Sequence, residues 1–180
     1  MEIHWYDEVN SCRMNRSMLY FSYGSNMSSK RLIARVATAQ AICKASLLRH
    51  TLKFHKEGMD GSAKCDASQT DNQDDRVLGV VFDIAPRDKT FLDRCEGKGN
   101  GYEIKTVELI SDDGETIEAF TYYATSIDAD LQPYHWYKEH VLRGALENGL
   151  PDVYVRLIRE VQSVDDPDPV RHGRELSIYR

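Results

Sequence analysis

Tyr20-Phe21-Ser22-Tyr23-Gly24-Ser25-Asn26-Met27 joins a short apolar strand to a helical pattern through Gly-Ser-Asn. Residues of these types at such a join can build a small anion cradle. Gly24 lets the backbone turn where a side chain would clash. The amides of Gly24, Ser25 and Asn26 then point outward from a strand end, where they could hold a carboxylate or a developing oxyanion. The same residues also suit a plain strand-to-helix turn in which the serine and asparagine serve as caps.

A second landmark follows about seventy positions on, Leu92-Asp93-Arg94-Cys95-Glu96-Gly97-Lys98-Gly99-Asn100-Gly101-Tyr102, and a third is Glu147-Asn148-Gly149-Leu150-Pro151. The three in this order resemble the γ-glutamylcyclotransferase family, over residues 19 to 160 or so. The resemblance implies that Tyr23, Gly24, Ser25 and Asn26 bind the γ-glutamyl end of a substrate. It also implies that Glu96, at a helix end before a glycine and near Tyr102, transfers protons. Tyr102, Tyr122 and Tyr137 are implied to line the pocket, although each also suits a core or rim position. Tyr123 points to the opposite face of its strand from Tyr122, so a one-residue misalignment would exchange the two.

The implied reaction is intramolecular. The α-amine of a γ-glutamyl dipeptide attacks its own side-chain amide carbonyl, closes the ring of 5-oxoproline and expels the other amino acid, with no water and no cofactor. The protein must grip the α-carboxylate and α-amine, since well-oriented intramolecular attack is worth about 7–11 kcal/mol of the barrier. It must also supply a base and donors for the oxyanion. A free glutamate titrates near about 4.3 and a peptide α-amine near about 8. The expectation is therefore that Glu96 sits in a desolvated pocket with apolar neighbours that make it more basic, aided by the negative end of its helix. A solvated helix-end carboxylate is the plain alternative. A γ-glutamylamine cyclotransferase acting on ε-(γ-glutamyl)lysine would differ in the pocket for the leaving amine, and the match at 147–151 leans away from it. An amidohydrolase with Cys95 as nucleophile and His50 or His55 as base is a further reading. So is a noncatalytic small-molecule-binding relative of the same barrel.

A chain of 180 residues, 41% hydrophobic and 29% charged, suits one globular domain. Its 23 Lys and Arg against 29 Asp and Glu give a net charge of −6, which argues against a nucleic-acid surface. No run approaches the roughly 18 apolar residues that a membrane span needs. Met1-Glu2-Ile3-His4-Trp5-Tyr6-Asp7 lacks the parts of a signal peptide, and the expected setting is cytoplasmic. Cys12, Cys43, Cys65 and Cys95 are scattered, so reduced thiols and no metal are expected. The expected partner is a small γ-glutamyl molecule, and the chain a monomer or homodimer.

Residues 1–18 read as a polar extension, 19–163 as the working domain and 164–180 as a charged, peripheral tail. A strand is expected at 19–23, a helix at 28–35, and weakly patterned strands around 39–48, 51–55 and 63–67. The clearest strand is Val77-Leu78-Gly79-Val80-Val81-Phe82-Asp83-Ile84. Pro86 opens a short helix with Phe91, Leu92 and Cys95 on its apolar face, ending at Gly97. Strands at 102–110 and 116–125 flank the Asp113-Gly114 reversal, and helices at 134–147 and 151–161 close the domain. The pattern predicts an α+β fold, a small mixed, mainly antiparallel β-barrel or strongly curved sheet with flanking helices. The glycine-rich run at 97–101 precedes a strand instead of opening a helix, which disfavours a dinucleotide loop and favours a hinge or lid edge. His135 and His140, five apart, diverge around a helix and read as surface or capping residues. His55-Lys56-Glu57 and Lys64-Cys65-Asp66 could give a cation to a substrate carboxylate, or simply be charges on strand edges.

Overall fold

The computed structural model describes residues 18–180, so what is expected of the extension at 1–17 lies outside the described residues. Seven strands run as β1 (Met18–Ser22), β2 (Gln40–Leu48), β3 (His50–Glu57), β4 (Ala63–Gln69), β5 (Arg76–Ile84), β6 (Tyr102–Ser111) and β7 (Thr116–Ala124). Five of them close a barrel in the order β1-β5-β2-β6-β7, and β3 with β4 forms a separate two-stranded sheet. All barrel pairings are antiparallel except one, where β7 meets β1 in parallel at Tyr20 and Phe120 and so removes the last open edge.

β5 is the most apolar strand because β1 and β2 flank it and both its faces are covered. Val77, Val80, Val81, Phe82 and Ile84 are all buried. The β6–β7 hairpin turns at Gly114, whose φ of 89° only glycine adopts without strain and whose amide donates to the Ser111 carbonyl. β3 and β4 extend beyond their expected limits and stand apart from the barrel. β3 alternates weakly because much of it is only half-buried, whereas β4 buries the consecutive residues Cys65, Asp66 and Ala67.

The helices are α1 (Ser29–Arg35), α2 (Lys89–Glu96), α3 (His135–Glu147), α4 (Asp152–Glu160) and α5 (Pro169–Leu176). α2 ends at Gly97 in the left-handed region, φ 74°, where the amides of Gly97 and Lys98 donate to the Arg94 and Asp93 carbonyls. Glu96 is thereby fixed on the last turn. Leu92 is the buried anchor of α2, whereas Phe91, expected on the same apolar face, is exposed. The run at 97–101 is a turn closed by Asn100 N–H to the Gly97 carbonyl and Gly99 N–H to the Tyr102 carbonyl.

The segment 164–180, expected as a peripheral tail, carries α5 against the domain. Asp166 accepts from the indole N–H of Trp136 at 2.7 Å, and Glu175 accepts from Arg31 at 2.7 Å. Its carboxylates answer donors on α1 and α3 far back in the chain, a pairing that local composition does not reveal. No helix among the described residues is long and apolar enough to cross a membrane.

α3 presses directly on the loop after β1. A Cβ on Gly144 would come within 2.5 Å of Met27 Cβ and of the Ser28 nitrogen, so only glycine lets the two backbones approach this closely. The third landmark completes the clamp. Asn148 Nδ2 donates to the Met27 carbonyl at 3.0 Å, and Ser29 N–H donates to the Glu147 carboxylate.

Candidate functional site

A narrow cavity opens at the end of the barrel, between the loop after β1, the end of α2 and the strands β4, β6 and β7. Tyr23, Gly24, Ser25, Asn26, Glu96, Tyr102, Tyr122 and Tyr137 all line it, so residues from five separate stretches of sequence meet there. Gly24 leads into a 3-10 turn over Ser25–Met27, whose Gly24 and Ser25 carbonyls accept from Met27 and Ser28 at 3.0 and 3.4 Å. The leading amides of such a turn have no partner inside it. Ser25 and Asn26 are nonetheless buried.

Glu96 Oε1 accepts from Asn26 Nδ2 at 2.8 Å and from Arg35 Nη1 at 2.9 Å, while Arg35 also donates to Asn26 Oδ1 at 3.0 Å. The three side chains form a closed triangle. The expectation of apolar walls around Glu96 is therefore corrected. The carboxylate is 17% exposed, is ion-paired with Arg35, 22% exposed, and accepts from the asparagine amide. Arg35 was missed from the sequence. Its signal is that Arg31 and Arg35 lie four apart on α1 and so share one helix face, from which Arg31 Nε also donates to Ser25 Oγ at 3.2 Å.

The tyrosine hydroxyls are bonded to the protein itself. Tyr23 donates to the Tyr122 carbonyl at 2.5 Å, Tyr102 to the Cys65 carbonyl and Tyr122 to Asp93 at 2.6 Å, while Tyr137 accepts from the Cys65 amide at 3.0 Å. Burial pushes the phenols of Tyr23, Tyr102 and Tyr137 well above their ordinary value. They serve as rigid, protonated walls. Tyr122 faces the cavity, whereas Tyr123 turns away and lies under the Lys105 ammonium. Tyr20, Cys65 and Thr121 also line the cavity without having been singled out as site residues. For Tyr20 the signal was strand periodicity, since it precedes Ser22 on the same face of β1.

Arg35 and Arg31 act on Cys95, but burial outweighs them. Burial pushes its thiol up. His50 is held by the Leu48 carbonyl and Lys105, and His55 by Asp66. The reading of His140 as a surface residue is also corrected, because it is fully buried in α3. Arg31 can only donate, so its Nη1 donates to His140 Nε2 at 2.9 Å and the ring proton sits on Nδ1, facing Tyr179 at 2.7 Å. His135 is exposed and bonds Ser163 at 2.8 Å.

A wider chamber of about 1120 Å³ continues from the cavity past Ser25, Glu96, Tyr102 and Tyr137. Basic side chains outnumber carboxylates on its walls. The geometry is that of a small-molecule site in two parts, a tight inner cup and a cationic antechamber, with one carboxylate at their junction.

Residues 76–158 match the model of the AIG2-like family. The chain is 30% identical over 159 residues to the gamma-glutamylcyclotransferase of Homo sapiens, covering 83% of this chain and 81% of that one. A solved structure of a gamma-glutamyl cyclotransferase superposes with a TM-score of 0.78 at 28% identity, covering 85% of this chain and 92% of that one. The crystal structure of an uncharacterized protein from Homo sapiens superposes with a TM-score of 0.81, also at 28% identity, over 91% of this chain and 99% of that one. The chain belongs to the γ-glutamylcyclotransferase family.

Proposed function

We propose that the protein is a cofactor-independent γ-glutamylcyclotransferase that releases 5-oxoproline and a free amino acid from γ-glutamyl amino acids, with Glu96 as general acid and base. The observation that carries this reading is the 2.8 Å contact between Asn26 of the loop and Glu96 of α2, which brings the anion cradle and the carboxylate into one cup. The named relatives support the same chemistry. The unpaired thiols of Cys43, Cys65 and Cys95 suit the reducing cytoplasm.

In this mechanism the leading amides of the Gly24–Asn26 turn hold either the α-carboxylate or the oxyanion of the substrate. The carboxylate of Glu96 removes a proton from the α-ammonium. The freed amine attacks the γ-carbonyl carbon, the ring closes, and the electron pair moves to oxygen. As it returns, the bond from carbon to the departing nitrogen breaks and Glu96 gives its proton to that nitrogen; Glu96 then takes the second proton of the ring nitrogen and passes it to the freed amine, so that a neutral lactam and an ammonium leave. Asn26 and Arg35 fix the carboxylate in place. The tyrosine walls hold the chain of the substrate folded, which is where the entropic advantage of an intramolecular attack arises.

The test is chromatographic detection of 5-oxoproline from γ-glutamyl-alanine, glutathione and ε-(γ-glutamyl)lysine, with wild type beside Glu96→Gln. The wild type should convert γ-glutamyl-alanine. The variant keeps the Asn26 and Arg35 contacts possible but accepts no proton, and should lose about 10²–10⁴-fold in kcat. Full activity in a folded Glu96→Gln protein removes the role of Glu96. No product from any substrate leaves the binding-protein reading.

A further inference from the structure

Lys56 is a buried basic side chain that, among the described residues, forms no direct ion pair. It projects from β3 into the antechamber and is only 3% exposed. Its ammonium donates to the Asn100 carbonyl at 3.2 Å and lies 4.6 Å from the centre of the Tyr102 ring. Among the described residues it forms no ion pair. The neighbouring cations are otherwise engaged: Arg35 with Glu96, Lys64 with Asp60, Arg31 with Glu175 and Arg171 with Asp166. Arg94 also lacks an ion pair among the described residues, but it is exposed and water screens it. Lys56 thus has three N–H donors, one of them on a carbonyl, in a place where water is scarce.

The chain makes room for this arrangement. Gly101 has φ 93°, and a Cβ there would lie 2.9 Å from Lys56 Cε and 3.0 Å from its Nζ. Any larger residue would push the ammonium off the Tyr102 face. Tyr102 lines both the inner cup and the antechamber, so the Lys56 ammonium over its ring stands on the antechamber side of the junction between the two.

We propose that Lys56 receives the carboxylate of the leaving amino acid and so makes the enzyme select γ-glutamyl amino acids over γ-glutamyl amines that lack that carboxylate. The inference rests on the cyclotransferase reading and names the specificity residue of its outer half. An incoming carboxylate supplies the missing counter-charge, and a charge-assisted hydrogen bond in a partly desolvated chamber is among the stronger non-covalent contacts. Burial lowers the pKa of Lys56, opposed chiefly by Glu96. A bound carboxylate reverses that strain, and binding and protonation of Lys56 reinforce one another.

The test compares γ-glutamyl-alanine with γ-glutamyl-alaninamide, which has the same size and no carboxylate, by 5-oxoproline release in wild type, Lys56→Met and Lys56→Arg. Wild type should prefer the acid, and Lys56→Met should lower the acid-to-amide ratio of kcat/KM by about 10–100-fold, with the loss in KM. Lys56→Arg should restore part of the preference. Equal turnover of acid and amide by wild type, or an unchanged ratio in Lys56→Met, overturns the role. Because wild type alone reports on the carboxylate, a variant that fails to fold does not rescue the idea. Absence of 5-oxoproline from both compounds and from the wider panel instead removes the cyclotransferase reading, and this inference with it.

Discussion

Arg31 offers a way to measure how far the C-terminal segment supports the loop after β1. Its guanidinium is 9% exposed, donates to Glu175 at 2.7 Å, to His140 at 2.9 Å and to Ser25 at 3.2 Å, and has Glu175 as its carboxylate partner. Glu175→Gln keeps the shape and removes the charge, leaving a nearly buried cation near Arg35. Breaking a buried pair from one side costs about 3–5 kcal/mol. Glu175 is 20% exposed, so water offsets part of that loss, and about 2–3 kcal/mol is expected, or a fall in Tm of about 4–12 °C for a protein of this size. Arg31→Met costs less, about 1–2 kcal/mol, because the carboxylate it orphans reaches solvent more easily. The double variant should lie about 1–3 kcal/mol above the sum of the singles. Urea unfolding gives all four stabilities, and equal m-values keep the comparison valid. Additivity within about 0.5 kcal/mol would refute the pairing. The loop supplies a second readout, since Arg31→Met frees Ser25 and should raise KM for γ-glutamyl-alanine more than Glu175→Gln does.

Acid should loosen the same network. Burial lowers the pKa of His140 to about 4 although Glu175 opposes the shift. The unfolded chain takes up a proton near pH ~6.5 that the folded protein refuses until about pH 4. Stability is therefore full above about pH 6.5 and falls as pH drops toward 4, by at most about 3 kcal/mol. Glu175, held below the ordinary carboxylate range by His140 and Arg31, adds a loss in the same direction at lower pH. Urea midpoints that stay constant from pH 7 to pH 4.5 would contradict this. Gly144→Ala should destabilise by about 1–3 kcal/mol through the clash with Met27 and Ser28 in spite of a better helix propensity. Gly173→Ala on α5, where an added Cβ meets nothing within 4 Å, should be neutral or slightly stabilising in the same thermal scan.

The parts legible in the sequence are those whose signals are local. The apolar run of β5, the Asp113-Gly114 turn and the glycine stop after Glu96 each declare themselves within ten residues, and each stands where expected. The loop residues and Glu96 were found because their order along the chain resembles a family. What escaped is what depends on distant partners. Arg35 joins Glu96 across 61 positions, and His140 and Glu175 meet on Arg31 across 109 and 144. Charged residues in a helix or tail read as solvated, and nothing local distinguishes one that is clasped. The apolar pocket foreseen for Glu96 failed for the same reason, because the arginine that fills its place lies on another helix.

The acidic chain and its basic antechamber are reconciled by distance. A net charge of −6 describes the whole molecule, yet surface charges more than about 8 Å apart are largely screened at physiological salt. Within the chamber, screening is weaker, and Lys56 and Arg35 share walls with the aromatic faces of Tyr102 and Tyr137. The local balance therefore governs what enters. Most of the chamber's cations are neutralised by Asp60, Asp166 and Glu175, each set back from the junction, while Glu96 stands at it. Among the described residues that arrangement leaves one shielded positive charge in the chamber without an ion pair, on Lys56. In the proposed reaction a substrate with a carboxylate at each end lays its α-carboxyl end in the cradle of amides and its leaving end toward the ammonium. The two ends of the site thus each meet one carboxylate in that reaction, with Glu96 between them.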